Sequence, residues 1–140
     1  MGISKFVILF CLEFAFSKEI LKPVPVPTLA DGELAVFDGQ KYKKFRSYEE
    51  DALVLSSDCQ STSGKRKCEA KLAVARATEK TFVPEPNISP AAHLCNVVAG
   101  TSLIVLDQKK QELNFCQFSD GSMVGSWSLF YKIFPKNIIK

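Results

Sequence analysis

Residues 89–122, SPAAHLCNVVAGTSLIVLDQKKQELNFCQFSDGS, hold the clearest structural signal in the chain. Ser89 suits a helix N-cap, because its hydroxyl can accept from the free amides of a first turn. Pro90 suits the next position, where no amide is needed. Ala91, Leu94, Cys95 and Val98 recur at helical spacing and form one apolar stripe that contains a cysteine. Gly100 stands where such a helix would end. Thr101–Asp107 reads as a strand, apolar through Leu103, Ile104, Val105 and Leu106, and the polar turn Gln108–Gln111 returns the chain through Glu112–Phe118. Alternation along that return puts Asn114, Cys116 and Phe118 on one face and Leu113 and Phe115 on the other. A bond from Cys95 to Cys116 would pin helix to hairpin. Asp120-Gly121-Ser122 then turns the chain into an aromatic end with Trp127, Leu129, Phe130, Tyr131, Ile133 and Phe134. The expected class is α+β: small disulfide-stabilised β-hairpin units, with one short helix packed on a C-terminal antiparallel hairpin.

Upstream, the prolines of Phe82-Val83-Pro84-Glu85-Pro86-Asn87 interrupt regular structure, so 83–88 is expected to be a linker and 89–140 a C-terminal domain. Residues 31–82 read as a separate small β-rich unit. Glu33–Phe37 runs into Asp38-Gly39, a hairpin signal, and on to Lys41–Phe45, while Asp51–Ser57 leads into Cys59. Beyond the Ser61-Thr62-Ser63-Gly64 turn, Cys68, Ala70, Leu72 and Val74 alternate with Glu69, Lys71 and Ala73. A strand is expected there, although Ala70, Ala73, Val74 and Ala77 also fit helical spacing. Prolines at 23, 25 and 27 make 18–30 an extended tether.

The first residues set the expected compartment. Met1–Lys5 is a short, positively charged start, and Phe6–Phe16 is an apolar run too short to span a bilayer as a helix. Ala15-Phe16-Ser17 offers small residues at the third and first positions before a cut ahead of Lys18, so 1–17 is expected to be a signal peptide, with Glu13 an irregularity inside it. Phe10 before Cys11 does not suit a lipoprotein signal, and Phe6 stands where myristoylation of Gly2 needs Ser or Thr. Cleavage leaves Cys59, Cys68, Cys95 and Cys116, which in an exported chain read as two disulfides. Three connectivities are open, and spacing favours Cys59–Cys68 with Cys95–Cys116. Closing the second loop should contribute about 3 kcal/mol. A zinc site fits poorly, since there is no Cys-x-x-Cys and His93 is the single histidine. No metal or cofactor is expected, and the expected location is periplasmic or secreted.

The 140 residues, 46% hydrophobic and 24% charged, have a globular composition with room for one ordinary domain or two very small ones. A net charge of +3, from 18 basic and 15 acidic side chains, is too mild to point to nucleic acid, and no Lys/Arg stripe with interleaved aromatics is expected. The basic run Lys65-Arg66-Lys67 sits in a Ser/Gly-rich loop and reads as a solvated turn.

The segment Ser89–Tyr131 resembles the bacterial domain of unknown function 333 family, whose members are often labelled hemolysin. Its pattern of Pro-Ala, a cysteine, a glycine pair, a second cysteine, Asp-Gly-Ser and a tryptophan followed by aromatics is met here by Pro90, Ala91, Cys95, Ala99-Gly100, Cys116, Asp120, Gly121 and Trp127. Ser89, Leu94 and Ser119 depart from it, and a later cysteine pair found in many relatives is missing, with Val124 at its first position. The resemblance implies a bacterial envelope or secreted location and carries no defined chemistry.

The residues give no catalytic set. His93 lies two positions from a cysteine expected in a disulfide, so a Cys–His nucleophile is not available. The carboxylates Glu49-Glu50-Asp51 read as a solvated edge, and Asp120-Gly121-Ser122 lacks the other oxygen ligands of a calcium loop. Asn87-Ile88-Ser89 matches a glycosylation acceptor, but Pro90 follows it. The chain is therefore expected to be no enzyme but an interaction module for an unidentified protein or envelope partner. Two alternatives stay open: membrane attack, or contact with a membrane surface, by the aromatic and basic segment Trp127–Lys140, and inhibition of a trypsin-like protease by Lys65, Arg66 and Lys67 in the Cys59–Cys68 loop. The sequence sets no oligomeric state.

Overall fold

The computed structural model describes residues 23–60, 68–77 and 82–135, so the expected signal peptide, the Lys65–Lys67 run and the last five residues lie outside the described part. Two three-stranded meanders carry the fold: β1 (Glu33–Phe37), β2 (Tyr42–Glu50) and β3 (Leu53–Ser56), then β4 (Thr101–Leu106), β5 (Glu112–Gln117) and β6 (Met123–Gly125). A 3-10 turn (Ser57–Cys59) and α1 (Glu69–Arg76) follow the first meander, α2 (Pro90–Val97) precedes the second, and α3 (Ser126–Ile133) closes it. The class is mixed α and β, as the composition of elements requires.

The expected division into a unit at 31–82 and a domain at 89–140 does not describe the molecule. β1 pairs with β4 through Ala35↔Leu106 and Val36↔Val105, and β3 pairs with β6 through Leu55↔Val124, closing one antiparallel barrel in the order β1-β2-β3-β6-β5-β4. The first loops of the two meanders are built alike. Asp38 accepts from the amides of Gln40 and Lys41, and Asp107 accepts from those of Lys109 and Gln111. Such Asp-headed loops tie the turn to its own side chain. The turn between β2 and β3 is only Asp51-Ala52, both left-handed (φ 51° and 65°), as a two-residue hairpin loop demands.

Strand alternation separates two cores. Inside the barrel pack Leu34, Val36, Phe45, Val54, Leu103, Val105, Phe115 and Met123. On its outer side, over β3, β6 and β5, the helices pack Ala70, Ala73, Leu94 and Leu129 against Leu55, Cys116 and Val124. The segment Cys68–Val74 is therefore helix and not strand. Ala70, Ala73 and Ala77 are its buried face, at helical spacing, and their small side chains let α1 approach the sheet closely. The described residues hold three α-helices where one was expected. The proline-rich stretch is not wholly a tether either: Leu29 is buried, with Val26 and Pro27 half-buried beside the β4–β5 loop.

Candidate binding site at the barrel mouth

Both disulfides are present, Cys59–Cys68 and Cys95–Cys116, with Cα atoms 5.2 and 5.5 Å apart. Cys95 and Cys116 are fully buried and join α2 to β5 in the middle of the helix layer. Cys59–Cys68 joins the 3-10 turn to the start of α1, so it closes a strand-to-helix connection and not the hairpin foreseen there. Pro90 opens α2, and Ala91 is fully buried beneath it.

The glycine pair position resolves into two separate demands. Helix α2 ends with the Gly100 amide donating to Cys95 O (2.9 Å) and the Ala99 amide to Asn96 O (3.1 Å), which forces Ala99 left-handed at φ 66°. Gly100 itself has no such φ. Its need is space: a Cβ there would run into Cys116 Sγ and press on Cys95 Sγ. The helix-ending residue is thus Ala99, one place before the glycine assigned to it.

Asp120-Gly121-Ser122, read as a plain turn, caps α1 from across the molecule. Asp120 Oδ2 accepts from the Glu69 amide (2.9 Å), Ser122 Oγ accepts from the Ala70 amide (3.0 Å), and Asp120 Oδ1 accepts from the Ser122 amide and hydroxyl. Gly121 is left-handed (φ 84°), which allows the loop to fold back. The capping groups come from about fifty positions away, so no local signal shows them. Burial pushes the Asp120 carboxyl upward, but the Ser122 hydroxyl and the Glu69 and Ser122 amides outweigh it and hold the group below the ordinary carboxylate range. The fold thus favours the ionised form. The stabilisation is present above the ordinary carboxylate pKa and is lost as pH falls through the lowered one. Asp120→Asn is expected to destabilise the protein by about 1 kcal/mol at neutral pH, and the gap should narrow progressively as pH falls below about 4. Urea melts at pH 7 and pH 3 would check this; equal losses at both would contradict it.

Other candidates take structural places. His93 Nε2 lies 2.9 Å from Val83 O and its ring packs on Phe82. Glu50 pairs with Lys71 at 2.7 Å, while Asp51 forms the β2–β3 turn and its carbonyl accepts from Lys132 Nζ. Phe130 and Ile133 pack on the helix-layer core, and Phe82 meets Phe130 and Phe134, so much of the aromatic tail is engaged by the fold. Among the described residues no group of three or more His, Cys, Asp or Glu could hold a metal, and no helix is long and apolar enough to cross a membrane.

Trp127 behaves differently from its neighbours. Leu129 is fully buried, whereas Trp127 is 39% exposed and stacks on Tyr131 with ring centroids 5.6 Å apart. It stands at a cavity of about 300 Å³ in one mouth of the barrel, walled by Leu34, Val54, Leu113, Phe115 and Gly125. Glu112, Asn114, Ser47 and Ser128 supply its polar margin. Ser128 fixes the wall: its hydroxyl accepts from the Val54 amide (3.1 Å) and donates to Gly125 O (2.8 Å), bridging β3 to β6 where their short pairing stops. The missing side chain at Gly125 matters too, since a Cβ there would lie 3.1 Å from Ser128 Oγ and 3.3 Å from Val54 Cβ. The cavity draws on both meanders and on α3, which no local signal brings together.

These features define a class: a small antiparallel barrel, layered on one side by short helices, cross-linked by two disulfides and open at one mouth to an apolar cavity. Residues 88–132, from the residue before Ser89 to near the end of α3, match the family described as Domain of unknown function (DUF333). No curated protein and no solved structure gives a significant match to the chain.

Proposed function

We propose that the protein is an exported, non-catalytic binding module that receives an apolar group in the barrel mouth. The observation that carries this is the half-exposed Trp127 at the rim of a concave apolar cavity with a few polar groups on its margin, the usual make-up of a recognition site. The four described cysteines are paired and the sole histidine serves the fold, which supports a binding role over a chemical one. Two disulfides, which persist where surroundings are oxidising, support export. In α3, Leu129 is buried and Phe130 packs on the core, which supports a structural place for that described part of the segment over membrane attack.

Trp127 is the only tryptophan in the chain and so reports on the cavity directly. Oxidised protein titrated with the apolar dye 8-anilinonaphthalene-1-sulfonate should show saturable energy transfer from Trp127. Leu113→Glu, at a half-exposed cavity position, should weaken the dye by about tenfold, the worth of one apolar contact. Absence of saturation, or an unchanged affinity in the variant, would remove this reading.

A further inference from the structure

A second surface lies on the barrel's outer side, away from the mouth and from the helix layer. Strand β2 and the residue before it read Lys41-Tyr42-Lys43-Lys44-Phe45-Arg46, a basic run with interleaved aromatics where none was expected. Phe45 points into the barrel core, and alternation with it puts Tyr42, Lys44 and Arg46 on the outer face, while Lys41 is exposed just before the strand begins. Tyr42 pairs with Phe37 on β1, with rings 5.3 Å apart, and one step beyond the Val36↔Val105 register brings Phe37 abreast of Ile104 on β4. Tyr42, Phe37 and Ile104 thus form a row across three strands, with Phe37 42% and Ile104 53% exposed. Exposed cations border the row. Lys43 is engaged by Asp38 and Arg46 donates to Asp31 O, while Lys41 and Lys44 make no ion pair among the described residues.

We propose that this face docks the protein on a bilayer carrying anionic headgroups, with Phe37 and Ile104 entering the interface and Lys41 and Lys44 meeting the lipid charge. Charge complementarity selects an anionic partner. The aliphatic Ile104 at the β4 end of the row selects a bilayer over a soluble polyanion or a nucleic acid, since it offers neither charge nor a stacking face but gains from burial in acyl chains. The inference is independent of the cavity, which opens at the opposite end of β1. It also stands apart from the aromatic C-terminal segment, whose side chains the helix layer largely engages.

The test is sedimentation of the oxidised full chain with vesicles of phosphatidylcholine, alone or mixed with phosphatidylglycerol. Binding is expected only to the mixed vesicles. Lys41→Gln/Lys44→Gln should weaken it by about thirtyfold, taking roughly 1 kcal/mol for each cation. Ile104→Ser should weaken it by about tenfold. Removing the same charge elsewhere, as Arg76→Gln/Lys110→Gln, should change it by less than about threefold. All of these positions are exposed, so circular dichroism should be unchanged. No binding to mixed vesicles overturns the proposal. So does equal sensitivity to the two charge pairs. Heparin binding as tight as that to vesicles, indifferent to Ile104→Ser, overturns it in favour of a soluble polyanion.

Discussion

Replacing Cys95 and Cys116 together by alanine is expected to lower stability by about 3 to 5 kcal/mol, the largest effect of any conservative change in this chain. Two contributions add. The bridge spans 21 positions, and opening a loop of that size restores denatured-state entropy worth about 3 kcal/mol. Both cysteines are also fully buried between α2 and β5, so removing their sulfurs leaves a gap among Leu94, Leu129 and Val124 that close-packed neighbours fill only in part. Against a total of about 5 to 15 kcal/mol for an ordinary domain, such a loss brings the fold close to the edge. Opening Cys59–Cys68 should cost less, because its loop spans only 9 positions and it lies at the margin of the helix layer, with Cys68 not wholly covered. Urea unfolding of the two double-alanine variants would check both the size and the order. A loss under about 1 kcal/mol for the Cys95/Cys116 variant would show that the helix layer holds without its bridge.

What could be read in advance follows from which forces are local. Helix α2 and the β4–β5 hairpin were legible because Pro90, the stripe Ala91-Leu94-Cys95 and the alternation around Phe115 act within a few residues of one another. Helix α1 was not. Its eight residues alternate on paper as well as a strand does, and the groups that meet its first amides are Asp120 and Ser122, far along the chain. Closure of the barrel was hidden for the same reason: β6 has only three residues, and the β1–β4 and β3–β6 seams are pairings between distant segments. The prolines at 84 and 86 look like a domain boundary but only connect two elements of one layer.

The sites divide in the same way. The cysteine pairing was legible from spacing. The cavity was not, because its wall is assembled from β1, β3, β5 and α3, and Trp127, read only as one member of an aromatic end, stands on its rim. The signal that could have found it is a lone aromatic at the first turn of a helix whose next buried residue, Leu129, is two places on and so faces another way. The basic and aromatic stripe at 41–46 could have been found by tabulating charge along each expected strand instead of over the whole chain.

Gly100→Ala is the second change expected to act strongly, and it tests whether a glycine is held for its sulfur neighbour or for its backbone. Were the demand conformational, the added methyl would be costly whether or not the disulfide is present. The geometry says otherwise: φ at 100 is not left-handed, that duty falling to Ala99, while the new Cβ would run into Cys116 Sγ and crowd Cys95 Sγ. A fully buried disulfide cannot move aside without shifting α2 from β5, so the expected loss is about 2 to 3 kcal/mol, the range for overpacking a tight core. In the Cys95→Ala/Cys116→Ala background the sulfur atoms are gone, and the same substitution should then cost under about 1 kcal/mol. The difference is a coupling energy of roughly 1 to 3 kcal/mol between position 100 and the bridge, which a double-mutant cycle by urea unfolding measures directly. An equal penalty in both backgrounds would place the cause in the chain's conformation at the end of α2, and the close approach of backbone to sulfur would then explain nothing about this glycine.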